Sequence, residues 1–166
     1  MKLIGIVFIV LSAGTVGCSM AMSMKKKCIL LRQLLDALQI LKNELSVCAT
    51  PLPQAFGLMA VSSTGELEAV FSAVAKDMDR NRWITPYDAF QALWKDKPQE
   101  PWQQVLLSLA RKLGKYDLDA QLQGIETAKC ATAQILSQME RERSMKSRTY
   151  ETPAICAGLA VAILLI

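Results

Sequence analysis

Between residues 31 and 48 an apolar side chain returns at alternating three- and four-residue steps, as Leu31, Leu34, Leu38, Leu41, Leu45 and Cys48. That rhythm places them in one seam of an α-helix. Leu30 and Leu35 widen the seam to the breadth of a core face in a helical bundle, broader than a lone coiled coil needs. Pro51 and Pro53 end the helix and restart the chain. A short helix from Pro53 sets Ala55, Phe56 and Met59 on one side and stops in the Ser62-Ser63-Thr64-Gly65 turn. Ser63 and Glu66 have capping-box spacing for a third helix. Its inward stripe is Leu67, Val70, Phe71, Val74 and Met78, and it fades into the charged stretch from Asp77 to Arg82.

Thr85-Pro86 pairs an N-cap with a first-turn proline, whose missing N–H costs least there. Tyr87, Phe90, Leu93 and Trp94 then form the stripe of a fourth helix. After a polar break from Lys95, Pro101 opens a fifth helix with Val105, Leu106, Leu109 and Leu113, and Gly114 stands where a left-handed C-terminal cap is wanted. Asp117 is placed to cap a sixth, long helix through Leu122, Ile125, Ala128, Thr132, Ile135 and Met139. No sustained two-residue alternation and no Asn-Gly or Asp-Gly turn signals a strand. The expected fold class is therefore all-α, an antiparallel helical bundle.

The ends differ in kind from this middle. Leu3 to Met24 carries no charge, and as a helix it would extend about 33 Å, enough for a bilayer core. Pro153 to Ile166 is also wholly apolar, spans only about 21 Å, and Thr152-Pro153 repeats the helix-start device. The organisation expected is a transmembrane helix over 1–24, a helical bundle over 25–150 and a short C-terminal transmembrane helix over 151–166. Lys25, Lys26 and Lys27 follow the first apolar run, and Arg141, Arg143, Lys146 and Arg148 precede the second. By the positive-inside rule both flanks put the bundle in the cytoplasm. Ala13, Gly14, Gly17 and Cys18 set small side chains at helical spacing, suited to close approach of another membrane helix. The alternative for this end is a lipoprotein signal: Thr15-Val16-Gly17-Cys18 approximates the small-residue box before a lipidated cysteine, which would make the protein an exported binding module anchored at Cys18.

Composition narrows the chemistry. The chain has 166 residues, 52% of them apolar, and a net charge of +4. Its basic residues gather beside the apolar ends, not along a stripe fit for nucleic acid. There is no histidine, which removes the usual general base, a common metal ligand and every His-dependent triad. The five cysteines, Cys18, Cys28, Cys48, Cys130 and Cys156, stand singly with no CxxC pair, and are read as small hydrophobes in a reducing compartment. A thiol nucleophile at Cys48 or Cys130 would lack a histidine to activate it. The acidic pairs Glu66 and Glu68, Asp77 and Asp79, and Asp117 and Asp119 are two apart, on different helix faces. No phosphate loop, dinucleotide fingerprint or metalloprotease motif occurs. The expectation is a protein that is no enzyme, takes no cofactor, metal, nucleic acid or small-molecule substrate, and acts through protein contacts at a membrane.

Asp117 and Gln121 lie four apart at the start of the last helix, behind Leu113-Gly114. Taken with the N-terminal span and its basic flank, Leu34 to Glu44, Pro51-Leu52-Pro53-Gln54-Ala55-Phe56 and the C-terminal span, this element resembles the stage III sporulation protein AB family. That family in turn resembles the cytoplasmic F-domain of inner-membrane platform proteins of type II secretion and type IV pilus machines. The resemblance implies a scaffold in the mother-cell membrane around the forespore, within a secretion-like complex. It also implies a secretion-type ATPase and neighbouring membrane proteins of that complex as partners, and no catalytic residues. Leu113, Gly114, Asp117 and Gln121 are the candidate packing or partner-contact patch.

Overall fold

The computed structural model describes the backbone of residues 2–95 and 98–165, and the side chains of 22–95 and 98–142. Six helices follow one another: α1 (Lys2–Ser46), α2 (Leu52–Ser62), α3 (Glu66–Arg80), α4 (Pro86–Trp94), α5 (Pro101–Ala110) and α6 (Leu118–Leu165). No strand occurs among the described residues, so the chain is all-α. Two compact units divide it: Ile29–Leu136, which holds α2 to α5 with the adjoining halves of α1 and α6, and the remaining ends, Met1–Cys28 with Ser137–Ile166.

The seam of α1 is buried as its period demands, with Leu31, Leu34, Leu38, Leu41 and Leu45 all inside. Cys48 is not: it is exposed, a correction to the expected seam. The helix ends at Ser46, and Pro51 disfavours helical geometry at Thr50, so it cannot run on into α2. Thr50 turns back instead, its N–H donating to the Glu44 carbonyl (3.0 Å) and its Oγ1 to Glu44 Oε2 (2.6 Å). Ala49 takes the left-handed φ of 49° that this reversal requires.

The expected N-cap of α3 also differs. Ser63 does not cap α3; Gly65 occupies that position with φ 67° and ψ −122°, a region closed to residues with a Cβ. In so tight a turn Ser63 is turned inward, and its Oγ is buried without a hydrogen-bond partner. Gln33 Nε2 of α1 instead donates to Thr64 Oγ1 at 2.7 Å, fastening the turn to α1. The cap on α4 forms as the sequence predicts: Asp88 N–H donates to Thr85 Oγ1, and Thr85 N–H donates to Asp88 Oδ2. Glu100 N–H likewise donates to Gln103 Oε1 (2.9 Å) at the start of α5.

Aromatic contacts thread the core of this unit. Phe56 of α2 lies against Phe71 of α3 and edge-on to Phe90 of α4, at centroid distances of 6.4 and 5.8 Å. Phe90 stacks on Trp94 (5.2 Å), and Trp94 meets Trp102 of α5 edge-on (5.7 Å). The Trp102 indole N–H donates to Glu100 Oε2 at 3.3 Å, so its polar atom stays satisfied. Burying each of the three phenylalanines contributes roughly 1.5–3 kcal/mol by transfer alone.

Alpha1 and α6 run antiparallel in the unit. Lys129 donates to Gln39 Oε1 (2.7 Å), and three residues back along α6 Glu126 meets Lys42, three residues on along α1, at 2.8 Å. Beneath these exposed pairs Ile125, Ala128 and Thr132 are buried, and the Thr132 hydroxyl donates to the Ala128 carbonyl at 2.8 Å. Cys28 is buried as a small hydrophobe, but Cys130 on the outer side of α6 is exposed, correcting the expectation that the polar-region cysteines are interior. A further correction concerns the C-terminal end: α6 continues through Pro153 to Leu165, and no new helix opens at Thr152-Pro153. One missing N–H interrupts a single rung of a long ladder, and no glycine stands beside it.

A clamped turn and the end of the bundle it closes

The candidate patch begins where α5 runs out. Lys112 and Leu113 N–H groups both close on the Leu109 carbonyl, at 2.8 and 3.2 Å. Leu113 is buried and Gly114 takes a φ of 75°, the left-handed cap that its position predicts. A Cβ at Gly114 would meet Leu52 Cδ1 of α2 at 3.3 Å. The Leu52 of the Pro-Leu-Pro motif and the Leu113-Gly114 motif thus touch, which the sequence could not show.

Gln121 closes the turn from the other side. Its Oε1 accepts from Gly114 N–H (3.3 Å) and its Nε2 donates to the Tyr116 carbonyl (2.7 Å). A planar amide, with an acceptor and a donor at one end, fits two backbone groups of opposite polarity. Asp117 is exposed at the head of α6, where its carbonyl accepts the Gln121 N–H at 3.1 Å. Of the four patch residues, Leu113, Gly114 and Gln121 are engaged in holding the α5–α6 connection, and Asp117 alone offers its side chain outward. The residues this clamp sets on the surface are Tyr116 and Leu118; nothing in their local pattern distinguishes them from core positions.

Alpha4 begins beside the same turn. The Arg111 guanidinium lies 4.9 Å from the Tyr87 ring centroid and donates to the Tyr87 hydroxyl at 3.1 Å. Asp88 is held below the usual carboxylate range, chiefly by the Thr85 side-chain hydrogen bond, then by the Thr85 backbone N–H, with a smaller contribution from Lys115. Glu126 is lowered too, first by Lys42 and then by Lys129. Between α5 and α6 a shallow recess of about 140 Å³ is lined by Val105, Leu109, Gly124 and Ala131. Among the described residues no three acidic or thiol side chains come together to hold a metal.

Of the topology-setting residues, Lys25, Lys26 and Arg141 are exposed and Lys27 is half-buried. Arg143, Lys146 and Arg148, and the packing set Ala13, Gly14, Gly17 and Cys18, lie outside the described side chains. So do the expected spans, apart from Met22, Ser23 and Met24. Among the described residues no helix is long and apolar enough to cross a membrane.

The described residues form an all-α protein whose candidate positions lie at turns and surfaces of a helical unit. The chain belongs to the stage III sporulation protein AB family, whose model matches residues 2–166. It is similar to the stage III sporulation protein AB of Bacillus subtilis (strain 168), 25% identical over 174 residues and 99% of each chain. A solved structure of a stage III sporulation protein AB shares the fold, with a TM-score of 0.59 over 68% of this chain and 92% of that one, at 24% identity.

Proposed function

We propose that this protein is a membrane-anchored platform of a secretion-like sporulation complex between mother cell and forespore, working through protein contacts and without a catalytic centre. The helical unit hangs on the cytoplasmic side of the mother-cell membrane, and its partners are a secretion-type ATPase and neighbouring membrane proteins. The observation that carries this reading is the family match along residues 2–166 on a chain whose compact helical unit stands between two apolar ends. The lysines after the first end and the arginines before the second support the orientation. A unit held at both ends would receive a cytosolic motor on its free surface and transmit that contact to the membrane.

Exposed Cys130 makes the orientation testable. In a variant with Cys18, Cys48 and Cys156 replaced by serine and Cys28 by alanine, a membrane-impermeant thiol reagent should label Cys130 only after protoplasts are lysed. Labelling of intact protoplasts would overturn the cytoplasmic placement and favour the exported lipoprotein anchored at Cys18. Fatty-acid labelling that disappears in Cys18→Ala would then identify it.

A further inference from the structure

Between α2 and α3 the local sequence code and the folded turn disagree. Ser63 and Glu66 have the spacing of a capping box, in which the serine oxygen accepts from the N–H three residues on and the glutamate reaches back to the serine N–H. Ser63 even carries the extended backbone of an N-cap residue, with φ −103° and ψ 167°. Yet α3 starts at Glu66 behind Gly65, and no side chain caps it. The Ser63 Oγ is buried without a partner, and the Ser63 N–H donates to the Ala60 carbonyl at 3.2 Å.

Two features hold the turn in this form. Gly65 supplies a backbone, φ 67° and ψ −122°, that a residue with a Cβ would resist. Thr64 Oγ1 accepts from Gln33 Nε2 of α1 at 2.7 Å, in an exposed bond that water can replace at little cost. A buried hydroxyl without a bond, by contrast, is a standing penalty. Places where local pattern and fold conflict in this way mark strained or functional sites.

A second form of the turn resolves the conflict and leaves the core alone. With Thr64 and Gly65 as the first residues of a longer α3, Ser63 stands at its N-cap and Glu66 at the third helical position. Helix α2 then gives up Val61 and Ser62 to the connection. Both are exposed, Val61 to 87%. The buried Phe56, Met59 and Ala60 of α2 and Leu67 and Phe71 of α3 lie outside the part that changes. The shift gives up the Ser62 Oγ bond to the Met59 carbonyl and the Gln33 bond to Thr64, and gains the two bonds of the capping box.

We propose that the α2–α3 turn is a two-position latch on α1. In the closed position Thr64 is fastened to Gln33 and the Ser63 hydroxyl is unpaired. In the open position Ser63 caps α3, its hydroxyl is satisfied and α1 is released from the turn. A few bonds stand on each side of the exchange, which is the condition for a bistable element. Any movement of α1 that draws Gln33 away from Thr64 favours the open position, so the turn registers where α1 stands.

The test is a double-mutant cycle in the full-length protein, read from urea unfolding by tryptophan fluorescence. Gly65→Ala disfavours the closed position, where its φ strains any side chain, and suits the open one, where position 65 is helical and alanine is the best helix former. In the Gly65→Ala chain, adding Ser63→Ala should lower the folding equilibrium constant about fivefold, the worth of an N-cap. In the wild-type chain the same change should leave that constant unaltered or raise it. Gln33→Ala should weaken the wild type and have no effect in the Gly65→Ala chain, where the bond to Thr64 is already gone. Equal effects of Ser63→Ala in the two chains, or a Gly65→Ala chain that does not fold, would overturn the open position. A loss from Gln33→Ala of the same size in both would overturn its coupling to α1.

Discussion

Ser63 shows how a residue's assignment depends on more than its spacing. Three positions before Glu66 it reads as a cap, yet its side chain is only 4% exposed and its Oγ has no partner. A buried hydroxyl without a hydrogen bond forfeits its hydration for nothing. Ser63→Ala should therefore be neutral or raise stability by up to about 1 kcal/mol, read from urea unfolding of the full chain by tryptophan fluorescence; a loss above that size would mean that the hydroxyl is satisfied in solution. Gly114 is the contrary case, legible from sequence in type and place. Its left-handed φ would strain any side chain, and a Cβ there would press on Leu52 Cδ1, which would have to give way.

At the scale of the element, α4 carries the best-defined local device in the chain. Thr85 and Asp88 exchange hydrogen bonds at its start, and Pro86 fills the first helical position. Losing an N-cap side chain of this kind costs about 1 kcal/mol, so Thr85→Ala should lower the urea midpoint by that amount without changing the slope. The same pair sets a pH dependence. The Asp88 pKa is lowered in the folded protein by Thr85, so its contribution is complete above the unfolded carboxylate value, which is 3.8. It is lost as pH falls further, through the folded value. The stability gap between wild type and Asp88→Ala should hold steady from about pH 5 upward and narrow below pH 3.8. A gap that widens in acid would reverse the sign and contradict the assigned hydrogen bonds.

Across the whole molecule, the helical unit is joined by rings that reach from α2 to α5, with Phe90 touching both Phe56 and Trp94. Phe90 is fully buried, and truncating it leaves a cavity at the meeting point of the helices as well as losing transfer free energy. Phe90→Ala should cost about 3–5 kcal/mol, a large share of a stability that for such units is about 5–15 kcal/mol. The α1–α6 pairs at the surface should matter far less, because exposed ion pairs such as Lys42 with Glu126 contribute little. Urea midpoints of Phe90→Ala and Lys42→Ala, measured side by side, check that order.

Helical periodicity, prolines and caps acting within a few residues were enough to predict an all-α chain, the inward stripes of its helices, the Thr85 cap and the left-handed Gly114. These are local properties, decided by spacing and by which residues tolerate a given φ. The family, too, was legible from short motifs spread along the chain. Tertiary structure decided what locality cannot reach. It exposed Cys48 and Cys130, turned Ser63 inward, and carried α6 past Pro153. It also brought Leu52 against Gly114 and closed the α5–α6 turn with Gln121. Trp83 and Tyr116 have the composition of core residues and stand at the surface, because burial belongs to the packing of distant segments and not to any residue's own pattern.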